Sequence, residues 1–267
     1  MLFNKSRPIG FFDSGVGGIS IFNEAANQLP NENFLYLADS LNAPYGTKNK
    51  EQIIDLSIKN TELLINKGCK MIIVACNTAT TNAIDRLREQ YDIPFVGIEP
   101  AVKPAILNSK VNRVGVLATK GTLSSQLFAH TNQYASSNHT DVIEVEGKCL
   151  VENIESNNIN QACFKAYLND LIQTFIKKNV DCVVLGCTHY SFLKPILSDL
   201  LPYSIKIIDA VEPVTRQIKK ILADQSIEND LSDINSYQFF SNKNPEIINH
   251  FISLNLKNKI KATYLDF

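Results

Sequence analysis

One segment of this chain is written twice. Lys67-Gly68-Cys69-Lys70-Met71-Ile72-Ile73-Val74-Ala75-Cys76-Asn77-Thr78 is matched without a gap by Lys178-Asn179-Val180-Asp181-Cys182-Val183-Val184-Leu185-Gly186-Cys187-Thr188-His189. Each copy reads as a helix end, a short continuous apolar run, then a Cys followed by two small or polar hydrogen-bonding residues. A short run of that kind, bounded by turn signals, is a buried strand. Two thiols at equivalent strand tips suggest a site in which they face each other, an arrangement suited to chemistry that needs a base on one face of a carbon and an acid on the other.

The rest of the chain keeps the same rhythm. Apolar runs at 9–13, 34–38, 71–75, 95–98, 113–118, 142–145, 182–186 and 206–208 predict strands, and helical periodicity predicts helices at 50–67, 80–91, 122–134, 159–178 and 190–200. Strands alternating with helices specify an α/β fold with mainly parallel sheets. Gly68 stands where a left-handed C-cap is expected, and Pro94 and Pro202 follow helices they could not continue. The duplication extends to the first strands, since Gly10-Phe11-Phe12-Asp13-Ser14-Gly15 corresponds to Gly115-Val116-Leu117-Ala118-Thr119-Lys120-Gly121. The expectation is therefore two similar α/β units related by a pseudo-twofold axis, with the active site in the cleft between them. The junction falls near Glu99-Pro100 and the chain recrosses near Asp209, which gives residues 1–99 with 210–267 as one unit and 100–209 as the other. Two weak strands in the last part, 237–240 and 263–265, are expected to pack back on the first unit.

Composition narrows the chemistry. A net charge of −1 over 267 residues gives no reason to invoke nucleic acid or an anionic membrane. No apolar leader or spanning run is present, so a cytoplasmic protein is the expectation. Six Cys without a secretory signal argue for free thiols, and no C-x-x-C spacing supports a thioredoxin-like or common zinc site.

Cys76 and Cys187 are the leading candidates. A free thiol titrates near 8.5, so forming the thiolate at pH 7 costs about 2 kcal/mol, which a helix N-terminus or a nearby imidazolium can remove. Either alone would be read as a small buried hydrophobe; the pair in duplicated contexts is read as functional. Cys69, Cys149, Cys163 and Cys182 lack that context and are read as packing. Asp13-Ser14-Gly15-Val16-Gly17-Gly18 is a glycine-rich turn into a helix whose N–H groups can hold a carboxylate. It is neither G-x-G-x-x-G nor a P-loop. Asp13 is open to two readings, an N-cap or a catalytic carboxylate. Pro44-Tyr45-Gly46 offers backbone N–H groups and a phenol near the cleft. His189 is the one His beside a candidate thiol; His130, His139 and His250 are read as solvated. A metal held by Cys76, Cys187 and His189 would want a fourth ligand, and no metal is expected.

Asp-Ser-Gly-x-Gly-Gly, Pro-Tyr-Gly, Cys-Asn-Thr-Ala and Gly-Cys-Thr-His-Tyr, in this order from Gly10 to about Glu212, resemble the glutamate racemases of the cofactor-independent aspartate/glutamate racemase superfamily. The resemblance implies no cofactor, glutamate as the small-molecule substrate, a homodimer, and a role in supplying D-glutamate for bacterial peptidoglycan. It places the two catalytic thiols on Cys76 and Cys187, with Cys76 acting on D-glutamate and Cys187 on L-glutamate. Auxiliary acid/base residues fall on Asp13 and His189, and a further Glu on Glu155, within Leu150-Val151-Glu152-Asn153-Ile154-Glu155. Substrate contacts fall on Asp13, Ser14, Tyr45, Gly46, Asn77, Thr78, Thr119, Thr122, Thr188 and His189. The family's Gly-Asp-Thr reads Ala38-Asp39-Ser40 here, and Ser191 stands where Pro often follows the second Cys motif. An aspartate racemase, a silent acidic-amino-acid-binding protein and a redox dithiol are the rival readings.

Overall fold

The computed structural model describes residues 5–229, 236–253 and 260–267. Its strands are β1 (Ile9–Asp13), β2 (Phe34–Ala38), β3 (Met71–Val74), β4 (Phe95–Gly97), β5 (Arg113–Ala118), β6 (Asp141–Glu146), β7 (Cys182–Gly186), β8 (Lys206–Ile208), β9 (Tyr237–Ser241) and β10 (Thr263–Tyr264). The helices are α1 (Ile19–Gln28), α2 (Lys50–Asn66), α3 (Asn77–Gln90), α4 (Val102–Asn108), α5 (Lys120–Leu123), α6 (Gln126–Ser137), α7 (Leu150–Glu155), α8 (Ala162–Lys177), α9 (Lys194–Leu200), α10 (Val211–Asp224) and α11 (Pro245–Ser253).

The strands form two sheets, ordered β10-β9-β2-β1-β3-β4 and β6-β5-β7-β8. Every paired strand runs parallel to its neighbour. Stripped of β9 and β10, the first sheet has the same order as the second, so β1 corresponds to β5 and β3 to β7. The duplicated sequence is thus a duplicated topology. The central strands are buried end to end, as their continuous apolar runs require. The last strands do pack back on the first sheet, where β9 pairs with β2 from Phe34↔Tyr237 to Ala38↔Ser241. Phe22 of α1 fixes that face, with ring centroids 5.5 Å from Phe11 and 4.5 Å from Phe239. Among the described residues no helix is long and apolar enough to cross a membrane.

The helix starts depart from the sequence expectation in ways that matter below. The helix predicted at 80–91 begins at Asn77, directly behind Cys76. The helix predicted at 122–134 is two, because Ser125 caps a new start by accepting from the Phe128 N–H, while Thr119 caps the short α5 through the Thr122 N–H. The segment predicted at 190–200 opens as a 3-10 turn over Thr188–Leu193, and the α-helix starts only at Lys194, where Pro195 fits the first turn. The helix predicted at 159–178 starts later, at Ala162.

Candidate active site

In a parallel sheet every strand ends at the same edge, so Asp13, Cys76, Thr119 and Cys187, each at or just past a strand end, collect at the carboxyl edges of the two sheets. The two edges meet. Thr188 Oγ1 donates to Asp13 Oδ2 at 3.1 Å, and the Val16 N–H donates to Glu155 Oε1 at 2.9 Å. Thr78 Oγ1 lies 2.9 Å from Thr119 Oγ1 and 3.3 Å from Thr122 Oγ1. Each of these contacts joins the carboxyl edge of the first sheet, or a segment following it, to a segment between strands of the second. The predicted site residues come together here, except that the Tyr45 side chain is turned to Asp39 and Asn60. Gly46 and Glu155 are half-buried and the others buried.

The glycine-rich turn is shaped by this meeting. A methyl group on Gly17 would run into the His189 ring and stand 2.8 Å from Thr188 Oγ1; one on Gly15 would strike the Glu155 carboxylate. Tyr36 OH donates to the Gly15 carbonyl at 2.8 Å and holds the turn from below. Asp13 does not cap α1, whose N-cap is Gly18 with no side-chain bond. Its Oδ1 instead accepts from the Gly15 N–H at 2.7 Å, folding the turn around the carboxylate. Of the two readings of Asp13, the N-cap is set aside.

The two thiols sit in different electrostatic surroundings. Ser14 Oγ is 3.7 Å from Cys76 Sγ. Burial, followed by the negative charge of Asp13, pushes the Cys76 thiol up to about 12, and the Ala79 N–H in the first turn of α3 offsets only part of this. The helix N-terminus therefore acts in the expected direction but is outweighed. Asp13 is itself raised to about 6, first by burial and against the lowering influence of His189 and the Gly15 N–H. Cys187 Sγ lies 3.8 Å from His189 Nδ1, and His189 Nε2 lies 2.7 Å from Glu155 Oε1. Burial alone would disfavour the imidazolium. Bonds to Cys187 and Glu155 and the charge of Asp13 overcome it and hold His189 well above its ordinary value. One sulfur is thus paired with a cation and the other faces a carboxylate.

The loop after β2 departs from expectation in one respect. The Tyr45 hydroxyl is not offered to the cleft. It donates to Asp39 Oδ2 at 2.5 Å and accepts from Asn60 Nδ2 at 3.0 Å. What the loop brings against the second sheet is Gly46, where a methyl would stand 2.9 Å from Thr119 Cβ. Asn77 Nδ2 donates to the Ile98 carbonyl at 3.3 Å, while its Oδ1 is buried without a protein partner. Tyr36, Asn60 and Asn242 support the site but carry no sequence signal of it, since each acts on a residue distant in the chain, whereas Asp39 acts within its own loop and matches the family's Gly-Asp-Thr position.

Glu155 also lines a cavity of 520 Å³, together with Ser40, Pro44 and Phe251. Its side chain is 14% exposed against 2% for His189. Glu155 is therefore the solvent-facing end of the Cys187, His189 and Glu155 chain of contacts. All six Cys are free thiols. Cys69 and Cys182 pack in the interior as expected, whereas Cys149, which precedes α7, and Cys163, in the first turn of α8, are exposed. His130, His139 and His250 are exposed. Among the described residues no group of three or more His, Cys, Asp or Glu is arranged to hold a metal ion.

Residues 20–218 match the family model described as Asp/Glu/Hydantoin racemase. The chain is 40% identical over 239 residues to a glutamate racemase of Clostridium perfringens (strain SM101), covering 89% of this chain and 91% of that one. Two solved structures are similar at 28% identity over 98% of both chains: glutamate racemase isoform RacE1 from Bacillus anthracis, with a TM-score of 0.88, and glutamate racemase from Francisella tularensis in complex with D-glutamate, with a TM-score of 0.85.

Proposed function

The chain belongs to the Asp/Glu/hydantoin racemase family, and from that premise we propose that it interconverts L- and D-glutamate by proton transfer between Cys76 and Cys187. The product serves bacterial peptidoglycan synthesis. A cytoplasmic homodimer is the setting we assign to it. The observation that carries the mechanism is the unlike wiring of two equivalent thiols, Cys187 to His189 and Glu155, Cys76 to Ser14 and Asp13.

Inversion at Cα without a cofactor needs one base and one acid on opposite faces, with roles exchanged after each turnover. The imidazolium of His189 stabilises negative charge on the Cys187 sulfur, while burial and Asp13 keep Cys76 protonated. In this resting form Cys187 removes the α-proton of L-glutamate and Cys76 delivers its own to the other face. In the reverse direction Asp13, ionised at neutral pH, takes the Cys76 proton, and His189 supplies one to Cys187. Glu155 fixes the imidazole tautomer and orientation through its bond to Nε2. Charge developing on the substrate carboxylate is met by Ser14, Thr78, Thr119, Thr122, Thr188 and backbone N–H groups near Gly46. The unpartnered Asn77 Oδ1 is an acceptor suited to the substrate ammonium.

Cys76→Ser and Cys187→Ser are each expected to abolish racemisation followed by circular dichroism, while D-glutamate still binds. Racemisation at the wild-type rate in either variant would refute the two-thiol assignment. Parallel assays with the enantiomers of aspartate distinguish the rival substrate, which should turn over more slowly than glutamate.

A further inference from the structure

We propose that Asn242 is a positioning residue of the substrate loop, holding Tyr45 and Gly46 in place through the buried carboxylate of Asp39; this rests on the reading of Gly46 as a substrate contact. The register of the first sheet explains how so distant a residue arrives there. β9 pairs with β2 so that Ser241 lies beside Ala38, and the next residues, Asn242 and Asp39, leave the sheet side by side.

Asp39 is 2% exposed, and no ion pair is formed by it among the described residues. Its charge is carried by neutral donors. Tyr45 OH donates to Oδ2, and Asn42 Nδ2 at 2.8 Å and Asn242 Nδ2 at 2.5 Å donate to Oδ1. Two of the three belong to the loop itself, so the side-chain donor that ties this carboxylate to the rest of the molecule is Asn242. The same amide accepts from the Leu41 N–H at 2.9 Å and donates also to the Phe267 carbonyl at 3.2 Å. An amide is needed here because it donates to a carboxylate and accepts from a backbone N–H at once. Tyr45 is held at its hydroxyl by Asp39, and its neighbour Gly46 lies against Thr119 and Gly121. Losing Asn242 leaves a buried carboxylate short of a donor, and the loop residues bonded to that carboxylate, Asn42 and Tyr45, lose their side-chain tie to the end of β9.

Steady-state kinetics of the full chain with both enantiomers of glutamate test this, using Asn242→Ala, Asn242→Asp and Gly46→Ala, each melted by circular dichroism so that rates are taken where it is folded. Asn242→Ala should raise KM for both enantiomers about ten-fold, as expected for one lost charged hydrogen bond, with kcat within about two-fold of wild type. Asn242→Asp keeps the shape but sets carboxylate against carboxylate, so its KM should rise at least as far. If Asn242 only fills space, Asn242→Asp keeps the wild-type KM, and the proposal is overturned. A fall in kcat without a rise in KM overturns it equally. Gly46→Ala separates the two levels of inference. If it leaves KM unchanged, the loop is not a substrate site; if it raises KM while the Asn242 variants do not, only the role of Asn242 is lost.

Discussion

At Asp13 the fold holds a carboxylate where burial opposes the ionised form that the proposed proton transfer from Cys76 requires. Its value of about 6, against 3.8 for the free side chain, is the compromise. Two consequences follow at this residue. Because L- and D-glutamate have equal free energies, kcat/KM must be the same in both directions for every variant; asymmetry between the thiols is visible only in kcat and KM separately. For the wild type, kcat/KM should fall as pH falls through about 6, as Asp13 takes up a proton and can no longer accept one from Cys76. Asp13→Asn should lose kcat/KM by about 100-fold or more, the usual scale of an acid–base group, and a pH profile that still breaks near 6 in this variant would assign the break elsewhere. Stability should move the opposite way. A raised carboxylate pKa stabilises the fold fully below about pH 4, and that contribution is lost as pH rises through about 6. Asp13→Asn cannot titrate, so across that window it should gain on the wild type by about 3 kcal/mol, read from urea unfolding at pH 4 and pH 8. Equal differences at the two pH values would show that Asp13 is not under this strain.

The duplicated elements agree down to single backbone angles. Gly68 ends α2 with φ of +82°, and Asn179, its counterpart after α8, has φ of +50°. Gly and Asn are the residues that enter this left-handed region most readily, which is why one position accepts either. A methyl at Gly68 would meet nothing nearer than the Arg7 guanidinium at 3.8 Å, so Gly68→Ala isolates the backbone cost. That cost should be about 1 kcal/mol, or some 2–4 °C in the melting midpoint, with activity unchanged. An unshifted midpoint would mean that the helix end relaxes to another geometry. Signals of this kind explain what was legible in the chain. Strand runs and the helix end at Gly68 act through neighbours in sequence, so sequence reveals them. The break at Ser125 was hidden because Thr122 to Tyr134 is periodic throughout, and only the hydroxyl of Ser125 decides where the helix restarts. The support of Tyr45 by Asn60 and Asn242 was hidden for a different reason: Asn60 reaches its hydroxyl from α2, and Asn242 reaches Asp39 through the register of β9 on β2, neither of them a local pattern.

For the molecule as a whole, two sheets of one topology set two thiols equivalently, and the segments after their strands make the surroundings unlike. Asp13 has Ala118 as its counterpart, and His189 has Thr78. In the proposed mechanism symmetry supplies the two faces, and its failure at these positions supplies the charge difference between an acid and a base. Two different monoprotic groups are thus proposed to act on opposite faces of Cα. Racemisation begun in deuterium oxide from each pure enantiomer tests this most directly, with deuterium at Cα measured in product and remaining substrate at low conversion. With two thiols the product is fully deuterated at Cα in both directions and the remaining substrate keeps its proton. Product that retains the substrate's own proton would mean a single base serving both faces, and would contradict the two-thiol assignment.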